Sequence, residues 1–449
     1  MSMSQLRTGG LLLAACLALW GCPDGESRFI PPQASAAPGS TSRVFVYVAE
    51  GRDPSLSEDV ATEGGAVSAY QLGQDGFLPG GAPISVVRLV NPRRLAVHPA
   101  IPVLYVGTRN QVVAFDISEG SLRSLCPEGG ELSPPCATNP RGRNRPVDMT
   151  VAAADDGTFT LYVAETGQAA GTDDPSRIAA YPLGENGELP GFAGSQGTTA
   201  RVNQFEGVAV DSLFTWGADT SSQRVYRFDR EADGSLPQPA PTPAPINFPT
   251  PTPSPTPSEG DPTPSPTPMV RYFGVNFPGR IQVIEYPNPT PEGNVGVLYA
   301  VEQGSQRLGA WKIDEFYDLP GFPNSESPIQ GLYNSILIAP DRSRIYGALF
   351  QDGSVSSYAL DADGDIIDSS ESLTFSDPAS NPTGLAWLEY TPPGGSPEKT
   401  VFVSLGGLGR VDGYRVGQDG GLASRPFTST QPRFGTFPTD IAINVLSVR

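Results

Sequence analysis

Histidine is almost absent from this chain, because His98 is the single copy among 449 residues. One histidine cannot form a copper or zinc site with several imidazole ligands, and it leaves little basis for a Ser-His-Asp triad or histidine-ligated haem. His98 stands in "AVHPAIP", between two apolar runs, where a His-Pro pair is typical of a turn. We therefore expect His98 to be structural.

Cysteine is scarce, with four copies and no CxxC spacing. A structural zinc site is therefore not expected, and nothing in the sequence indicates another metal or a cofactor. Two of the cysteines, Cys126 and Cys136, lie in "LCPEGGELSPPC". In an exported protein they predict a disulfide that closes a small loop.

Positively charged residues are the minority: the chain has 29 Lys and Arg against 48 Asp and Glu, which gives a net charge of −19. A polyanion is repelled by such a surface, so we expect no nucleic-acid partner. The composition is typical of an acidic, soluble, exported protein.

The N-terminal stretch "MSMSQLRTGGLLLAACLALWGC" has one Arg and an apolar run too short for a spanning helix, which predicts an export signal. It resembles a bacterial lipoprotein signal, which implies lipidation of Cys22, with Cys16 or an ordinary cleaved signal as alternatives. We expect a signal at residues 1–22, a flexible tether at 23–41 and a folded body at 42–449. The expected location is the cell envelope, periplasmic or at the surface, with the lipid anchor as the only membrane contact; secretion is the alternative.

Long amphipathic helices are also missing, while 51 Gly and 48 Pro punctuate short runs rich in Val, Ile, Tyr and Phe. The phrases "YQLGQDGFL", "YPLGENGEL", "YALDADGDI" and "YRVGQDGGL" repeat an aromatic strand that enters an Asp-Gly-type turn. Seven copies align, with a unit of about 45 residues, on these aromatic residues: Tyr70, Phe115, Tyr181, Phe228, Trp311, Tyr358 and Tyr414.

Each unit reads as four antiparallel strands, so the sequence predicts an all-β, seven-bladed β-propeller. The C-terminal "FPTDIAINV" resembles a first strand with no second strand after it. The N-terminal "RVFVYVAEG" resembles a second strand with no first strand before it. We expect these two strands to share one blade and close the ring, and we expect a monomer.

Two insertions lengthen the repeat. One contains Cys126 and Cys136, and the other is the proline-rich tract of residues 241–268, which lacks hydrophobic residues that could pack. We expect both to lie between a fourth strand and the next first strand.

The acidic run "DADGD", with Asp361, Asp363 and Asp365, resembles the start of a calcium loop. Its sixth position is Ile366 and its twelfth is Ser372, where such a loop needs Gly and Glu. The repeat register instead places this run on a hairpin turn, so we expect no metal there.

The segment "NPRRLAVHPAIPVLYVGTRNQVVAFDI" and the repeated turn phrase resemble the lactonase-type seven-bladed propellers, which include bacterial 6-phosphogluconolactonases. The resemblance covers residues 43–449 outside the insertions. It implies a site of histidine, acidic and arginine residues at one mouth of the central channel. A Pro-Arg-His pattern of that family reads here as Pro92-Arg93-Arg94, so the histidine is missing.

First strands begin, and second strands end, at the same mouth of a propeller, so the residues at those positions should form a mixed ring of Arg and carboxylates. As candidate catalytic groups we take Glu206, a carboxylate base, and Asp148. The candidate binding residues are Arg93, Arg94, Arg280, Asp440, Glu50, Glu165 and Glu302. Mutual salt bridges that close the channel top are the structural alternative.

Three functions are compatible with these features. The favoured one is an exported, lipid-anchored propeller that binds a small molecule or a protein through the charged mouth and is not an enzyme. The alternative is a lactone hydrolase with a carboxylate base. In the third, the propeller is a surface spacer and residues 241–268 form a partner-binding or glycosylated arm.

Overall fold

The computed structural model describes residues 34–35, 43–52, 65–73, 75–78, 80, 82–126, 136–138, 145–167, 176–197, 204–236, 271–274, 278–286, 289–290, 293–375, 377–392, 395–430 and 436–446. The expected signal at 1–22, Cys22 within it, nearly all of the tether at 23–41 and the proline-rich tract at 241–268 lie outside these residues. In the described part of the chain, no helix is long and apolar enough to cross a membrane.

The described elements are nearly all β-strands, as the short β-branched and aromatic runs between Gly-rich turns dictate. In chain order they are β1 (Ala34–Ser35), β2 (Arg43–Arg52), β3 (Gly65–Gln71), β4 (Ser85–Leu89), β5 (Arg94–Val97), β6 (Val103–Gly107), β7 (Val112–Asp116), β8 (Arg123–Ser124), β9 (Arg145–Ala153), β10 (Phe159–Thr166), β11 (Arg177–Pro182), β12 (Ser195–Gly197), β13 (Phe205–Val210), β14 (Phe214–Asp219), β15 (Arg224–Asp229), β16 (Arg271–Gly274), β17 (Pro278–Glu285), β18 (Gly296–Glu302), β19 (Arg307–Ile313), β20 (Ser325–Glu326), β21 (Tyr333–Ile338), β22 (Arg344–Leu349), β23 (Ser354–Leu360), β24 (Ile366–Thr374), β25 (Pro382–Tyr390), β26 (Glu398–Leu405), β27 (Arg410–Arg415), β28 (Thr428–Ser429) and β29 (Thr436–Leu446). Two single-turn 3-10 helices lie at Pro378–Ser380 and Gly406–Leu408.

The strands form seven sheets, each with a four-stranded antiparallel blade. Blade 1 contains β29, β2, β3 and β4, and blades 2 to 6 contain β5–β8, β9–β12, β13–β16, β17–β20 and β21–β24. Blade 7 contains β25–β28, with β1 added in parallel on the inner edge of β25. The innermost strands contact one another in a closed ring from β29 through β5, β9, β13, β17, β21 and β25 back to β29. The predicted seven-bladed propeller is confirmed.

The predicted closure is also confirmed, because β29 pairs antiparallel with β2 from Arg43 opposite Leu446 to Arg52 opposite Thr436. The two ends of the described chain are thus joined by a continuous strand ladder. Closure removes the long bare edge that an open ring of sheets would expose.

The aromatic residues on which the repeat aligns all lie in third strands, and Trp311, Tyr358 and Phe115 are among the most deeply buried side chains. Apolar clusters fill the spaces between neighbouring blades rather than lying within one blade. Each blade is therefore stabilised mainly by the face of the next one.

One expectation about the insertions is wrong. The cysteine-containing segment does connect the fourth strand β8 to the first strand β9, but the proline-rich tract separates β15 from β16, the third and fourth strands of blade 4. The sequence predicts the other connection because the Asp-Gly turn of blade 4 is complete before the tract begins, and because the short strand Arg271–Gly274 has no repeat pattern that identifies its blade.

The turn that contains Asp361 is the hairpin between β23 and β24, as the repeat register predicts. Its Oδ1 accepts hydrogen bonds from the backbone N–H groups of Asp363 and Asp365. Gly364 adopts a φ of 76°, which glycine tolerates best. The carboxylate of Asp361 therefore holds its own turn.

Candidate functional site

Each innermost strand begins at one end of the central channel, which we call the mouth, and ends at the opposite end, which we call the far face. At the mouth, the pairing between first and second strands shifts register in six blades. In five of them a single residue of the first strand is left unpaired: Val147, Glu206, Asn334, Thr383 and Thr439. In blade 5, Gly279 and Arg280 lie opposite Val301 alone. A β-bulge leaves backbone groups unpaired and turns a side chain toward a new direction, which is common beside functional sites.

Arg280 of blade 5 reaches across the mouth to two carboxylates on other blades. Its Nη1 lies 3.4 Å from Oδ1 of Asp148 in blade 3, and its Nη2 lies 3.8 Å from Oδ1 of Asp440 in blade 1. Both distances are long for hydrogen bonds, and in the described structure Nε and Nη2 of Arg280 have no hydrogen-bond acceptor. We call Arg280, Asp148 and Asp440 the charged triad.

The two acids of the charged triad are also tied to neighbouring blades. Oδ2 of Asp440 accepts the Leu95 N–H at 3.0 Å, and Oδ2 of Asp148 accepts the Val208 N–H at 3.1 Å. Burial raises the pKa of Asp148, while Arg280 and Arg94 oppose that rise. Asp148 thus links blades 3, 4 and 5.

The Arg94 guanidinium donates hydrogen bonds to backbone carbonyls of neighbouring blades. Its Nε donates to the Val147 carbonyl at 2.6 Å, and its Nη1 lies 3.4 Å from the Thr439 carbonyl. Burial, helped by the positive charge of Arg280, lowers the pKa of Arg94 to about 10, so the side chain stays cationic near neutral pH. It links blade 2 to blades 1 and 3.

Among the described carboxylates of the mouth, Glu206, the bulged residue of blade 4, has the fewest hydrogen bonds and ion pairs. Burial raises its pKa, and the charges of Arg145, Arg94 and Arg93 oppose the rise in that order. Yet none of the hydrogen bonds or ion pairs between described residues involves the Glu206 carboxylate. A partly buried acid near three cations, without direct contact to any of them, can accept a proton from a bound molecule.

Arg145 is a cation near Glu206 that the positions of the strand starts do not predict. It opens β9 three residues before Asp148, and the signal that could have found it is the basic run "RGRNR" that ends there. Burial, followed by the charge of Arg145, lowers the pKa of Arg93, and the charge of Glu206 opposes that shift. Within the described structure, neither Arg93 nor Arg145 forms an ion pair with an acid.

The second-strand acids lie below the open surface. Glu50, Glu165 and Glu302 are 3%, 4% and 5% exposed. Oε2 of Glu165 accepts the Nε–H of Arg177 at 2.7 Å and its Oε1 accepts the Tyr181 hydroxyl at 2.6 Å, while Glu302 accepts the Ser305 hydroxyl at 2.9 Å. The structure therefore brings Arg93, Arg94, Arg280, Asp148, Asp440 and Glu206 together at the mouth, and it covers these three glutamates.

His98 lies at the far face, in the turn that follows β5. Its Nδ1 accepts the backbone N–H groups of Ala100 and Ile101 at 3.1 Å and 3.2 Å, and its ring lies 4.4 Å from that of Phe159. Burial lowers the pKa of His98 to about 4, so the ring is neutral near pH 7. These contacts assign His98 to the turn.

The disulfide between Cys126 and Cys136 is confirmed. It fixes the segment that follows β8, in which Ala137 bridges Val113 and Thr138 donates its backbone N–H to Val112. In the part of the chain that the structure describes, no group of three or more His, Cys, Asp or Glu side chains could hold a metal ion.

Below the charged triad, the channel encloses about 560 Å³ and is lined by the first strands of all seven blades. Its only charged lining residues, within the described structure, are Arg280, Asp148 and Asp440. Most of the other lining residues are apolar, but side chains such as Leu95, Met149 and Ile281 are buried in the clusters between the blades. The inner edges of the first strands therefore form much of the channel wall.

Comparisons with protein-family models and with curated proteins find no match. Solved structures do share the fold. The periplasmic gluconolactonase of Pseudomonas aeruginosa is 16% identical with a TM-score of 0.55, over 89% of this chain and 99% of that chain. A putative 6-phosphogluconolactonase of Bacteroides fragilis is 14% identical with a TM-score of 0.55, over 91% and 99%. A protein of Lactobacillus plantarum is 11% identical with a TM-score of 0.55, over 89% and 99%. The expected architectural likeness to 6-phosphogluconolactonase-like propellers is confirmed, and at these identities it concerns the fold alone.

Proposed function

We propose that this protein hydrolyses a lactone at the mouth of its central channel, with Glu206 as general base. The observation that carries the proposal is the Glu206 carboxylate, which is partly buried among Arg93, Arg94 and Arg145 without a direct ion pair. Two structural neighbours that are named as a gluconolactonase and a putative 6-phosphogluconolactonase add support from architecture.

The proposed reaction needs only a water molecule and the lactone. Glu206 takes a proton from the water, whose oxygen attacks the carbonyl carbon and converts the carbonyl to an oxyanion. Arg93 and Arg145, two of the cations whose charges act on Glu206, stabilise that negative charge. When the ring C–O bond breaks, the leaving alkoxide receives the proton from Glu206, and a hydroxy acid is released.

Arg94 stands where the lactonase-type pattern has its histidine, but it cannot serve as a base near neutral pH. Its guanidinium donates to the Val147 carbonyl and remains protonated. Asp148 is paired with Arg280, so among the two candidate catalytic acids Glu206 is better placed to exchange a proton.

Hydrolysis of a panel of sugar-derived and simple lactones by residues 42–449 tests the proposal. We expect turnover by the wild type and a roughly hundredfold or larger loss in Glu206→Gln. The matched control is Glu315→Gln, an exposed acid in a far-face turn of blade 5. A folded protein that hydrolyses none of the lactones, or a Glu206→Gln variant with wild-type turnover, contradicts the proposal.

Binding without chemistry is the second candidate function. It is favoured by Arg93 and Arg145, which have no acidic partner within the described structure and could hold an anion such as a carboxylate. Calorimetry with hydroxy acids distinguishes the two, because a binding module should bind the acid tightly without turning over its lactone, and Arg93→Glu should abolish that binding.

We further propose export with lipidation at Cys22, which would confine membrane contact to the anchor. Support comes from the sequence of residues 1–22. Mass spectrometry of the mature N-terminus tests this: a diacylated Cys22 is expected, and an unmodified residue after a cleaved signal would contradict it.

A further inference from the structure

The inner backbone edges of the first strands face the central channel, and part of one edge is already occupied. Ala34–Ser35, which form β1, pair in parallel with Leu388 and Glu389 on the channel side of β25. We propose that residues 23–33, which we call the N-terminal segment, continue from β1 through the channel in an extended conformation and emerge at the mouth. The channel is then the binding site of the chain's own N-terminal segment, and this role is independent of lactone hydrolysis.

The direction of β1 places the preceding residues in the channel. β25 runs from the mouth to the far face and β1 is parallel to it, so Ala34 is nearer to the mouth than Ser35. The residue of β25 next to Leu388 on the mouth side is Trp387, which lines the cavity. β1 also contacts β29, so it lies between the first strands of blades 7 and 1. A chain that reaches Ala34 along the line of β1 therefore passes through the cavity.

The inner edges can hold an extended chain, because an edge strand presents N–H and C=O groups that its own sheet does not pair. Side chains of neighbouring blades already bind some of these groups. The Gln282 amide donates to the Ile336 carbonyl and accepts the Ile338 N–H, each at 3.2 Å. Asp440 accepts the Leu95 N–H of the next blade in the same way. On β25, the backbone of β1 has this role.

The length of the N-terminal segment suits the depth of the channel. From Leu388 to Gly384 at the mouth, β25 covers four residue steps, or about 13 Å at ~3.3 Å per residue. The four residues before β1 span roughly this distance, and the rest of the segment reaches beyond the mouth. Pro31 and Pro32 lack N–H groups and so interrupt the pairing with β25, but their fixed φ keeps the segment extended.

The N-terminal segment carries partners for groups at the mouth. Nε and Nη2 of Arg280 have no hydrogen-bond acceptor in the described structure, and a backbone carbonyl of the segment supplies one as it passes. Arg93 and Arg145 form no ion pair with an acid among the described residues. The part of the segment that reaches beyond the mouth contains "PDGES", in which Asp24 and Glu26 are acidic. These two acids pair with the two arginines.

Cross-linking tests this path in a protein of residues 23–449, which contains all described residues. Phe29→Cys is combined with Asn334→Cys, the half-buried bulged position of blade 6 at the mouth, and treated with a short bismaleimide. The matched control combines Phe29→Cys with Ser343→Cys, an exposed position in the far-face turn of the same blade. The native cysteines of this protein are paired in a disulfide and do not react. We expect the mouth pair to cross-link at least roughly tenfold faster than the far-face pair.

Three results of this experiment overturn the proposal. Faster cross-linking of the far-face pair places the N-terminal segment outside the channel. Equal rates for the two pairs are expected of a tether in solvent, and no cross-link in either pair shows that the segment does not reach the mouth.

Trypsin gives a second measurement that needs no substitution in the propeller. Arg28 is the only Lys or Arg in residues 23–42, and a segment held in the channel prevents the residues after it from entering the protease. Ala34→Pro combined with Ser35→Pro removes the N–H groups of β1, so we expect cleavage after Arg28 to become at least roughly tenfold faster. Ala37→Pro, outside β1, should keep the wild-type rate. Equal cleavage rates in the three proteins overturn the proposal.

Discussion

The Tyr105 hydroxyl, in the second strand of blade 2, donates a hydrogen bond of 3.0 Å to the Gly187 carbonyl, in the hairpin turn of blade 3. Gly187 has a φ of 80° and both residues are at an inter-blade contact, where a Cβ on the glycine would meet the tyrosine oxygen at 2.9 Å. The repeated Asp-Gly phrase therefore does more than turn the chain. It presents a carbonyl to the preceding blade.

The same bond recurs around the ring. Equivalent pairs are Tyr47 with Gly120, Tyr162 with Gly234, Tyr299 with Gly364 and Tyr346 with Gly420. Blade 4 has Trp216 at this position, and the turn of blade 5 is held instead by Arg227, which donates to the carbonyls of Phe316 and Tyr317. Blade 7 has Phe402 there, and Thr428 of that blade accepts the Leu78 N–H just after the turn of blade 1.

Removal of this hydroxyl should weaken the ring without changing its shape. We expect Tyr105→Phe to lower the free energy of unfolding by about 1 kcal/mol, because the buried Gly187 carbonyl loses its donor. Urea denaturation with an unchanged m-value measures the loss. Tyr105→Phe with wild-type stability would show that this bond contributes nothing.

His98 should affect stability in acid rather than catalysis. Its pKa is about 4 in the folded protein and ~6.5 when unfolded, so the unfolded chain binds the proton first as pH falls. Stability should therefore be lost between pH 6.5 and 4, by up to about 3 kcal/mol. His98→Asn, whose amide oxygen can accept the same two N–H groups, should lack this loss and keep full hydrolysis. The prediction is wrong if the free energy of unfolding of the two proteins falls in parallel with decreasing pH, or if the variant loses turnover.

Arg280 should matter most when the acids of the charged triad are ionised. Arg280→Gln leaves Asp148 and Asp440 without their cation and removes the positive charge that opposes the rise in the pKa of Asp148. We expect a loss of about 2 kcal/mol near pH 8, below that of a tightly bonded buried pair, and a smaller loss at lower pH, where protonation of Asp148 relieves the repulsion. Asp440→Asn in the same chain should restore part of the stability at pH 8. A pH-independent loss would mean that packing, not charge, explains the variant.

The disulfide should stabilise the segment that leads from blade 2 to the mouth. Since Cys126 and Cys136 are ten positions apart in the sequence, we expect a loss of about 2–3 kcal/mol when both are changed to Ser. Dithiothreitol should lower the Tm of the wild type toward that of the double variant and leave the double variant unchanged. Insensitivity of the wild type to reductant would contradict a stabilising role.

The sequence was sufficient for the fold because the repeat combines two independent signals, the aromatic residue of the third strand and the turn after it. The shared blade of the two terminal strands is predictable because no second strand follows "FPTDIAINV" and no first strand precedes "RVFVYVAEG". The proline-rich tract was placed on the wrong connection because β16, with four residues, has no pattern of its own.

The candidate site was only partly predictable. Strand starts identified Arg280, Asp148 and Asp440 as mouth residues, but their meeting depends on a side chain that crosses between blades 5, 3 and 1, which no local pattern encodes. The lack of a direct ion pair at Glu206, among the described residues, likewise depends on a β-bulge and on which acceptor each arginine binds. These pairings are set by distances around the ring, not by residue type.

The most direct test of the account is the pH dependence of kcat/KM for a hydrolysed lactone in the wild type and Arg145→Gln. A base must be deprotonated, so activity should fall with decreasing pH through a midpoint above the ordinary glutamate value of 4.5. Arg145 is the strongest of the charges that lower the pKa of Glu206, so Arg145→Gln should move that midpoint to higher pH. A midpoint that Arg145→Gln leaves in place, or an acid limb that persists in Glu206→Gln, would contradict Glu206 as the base.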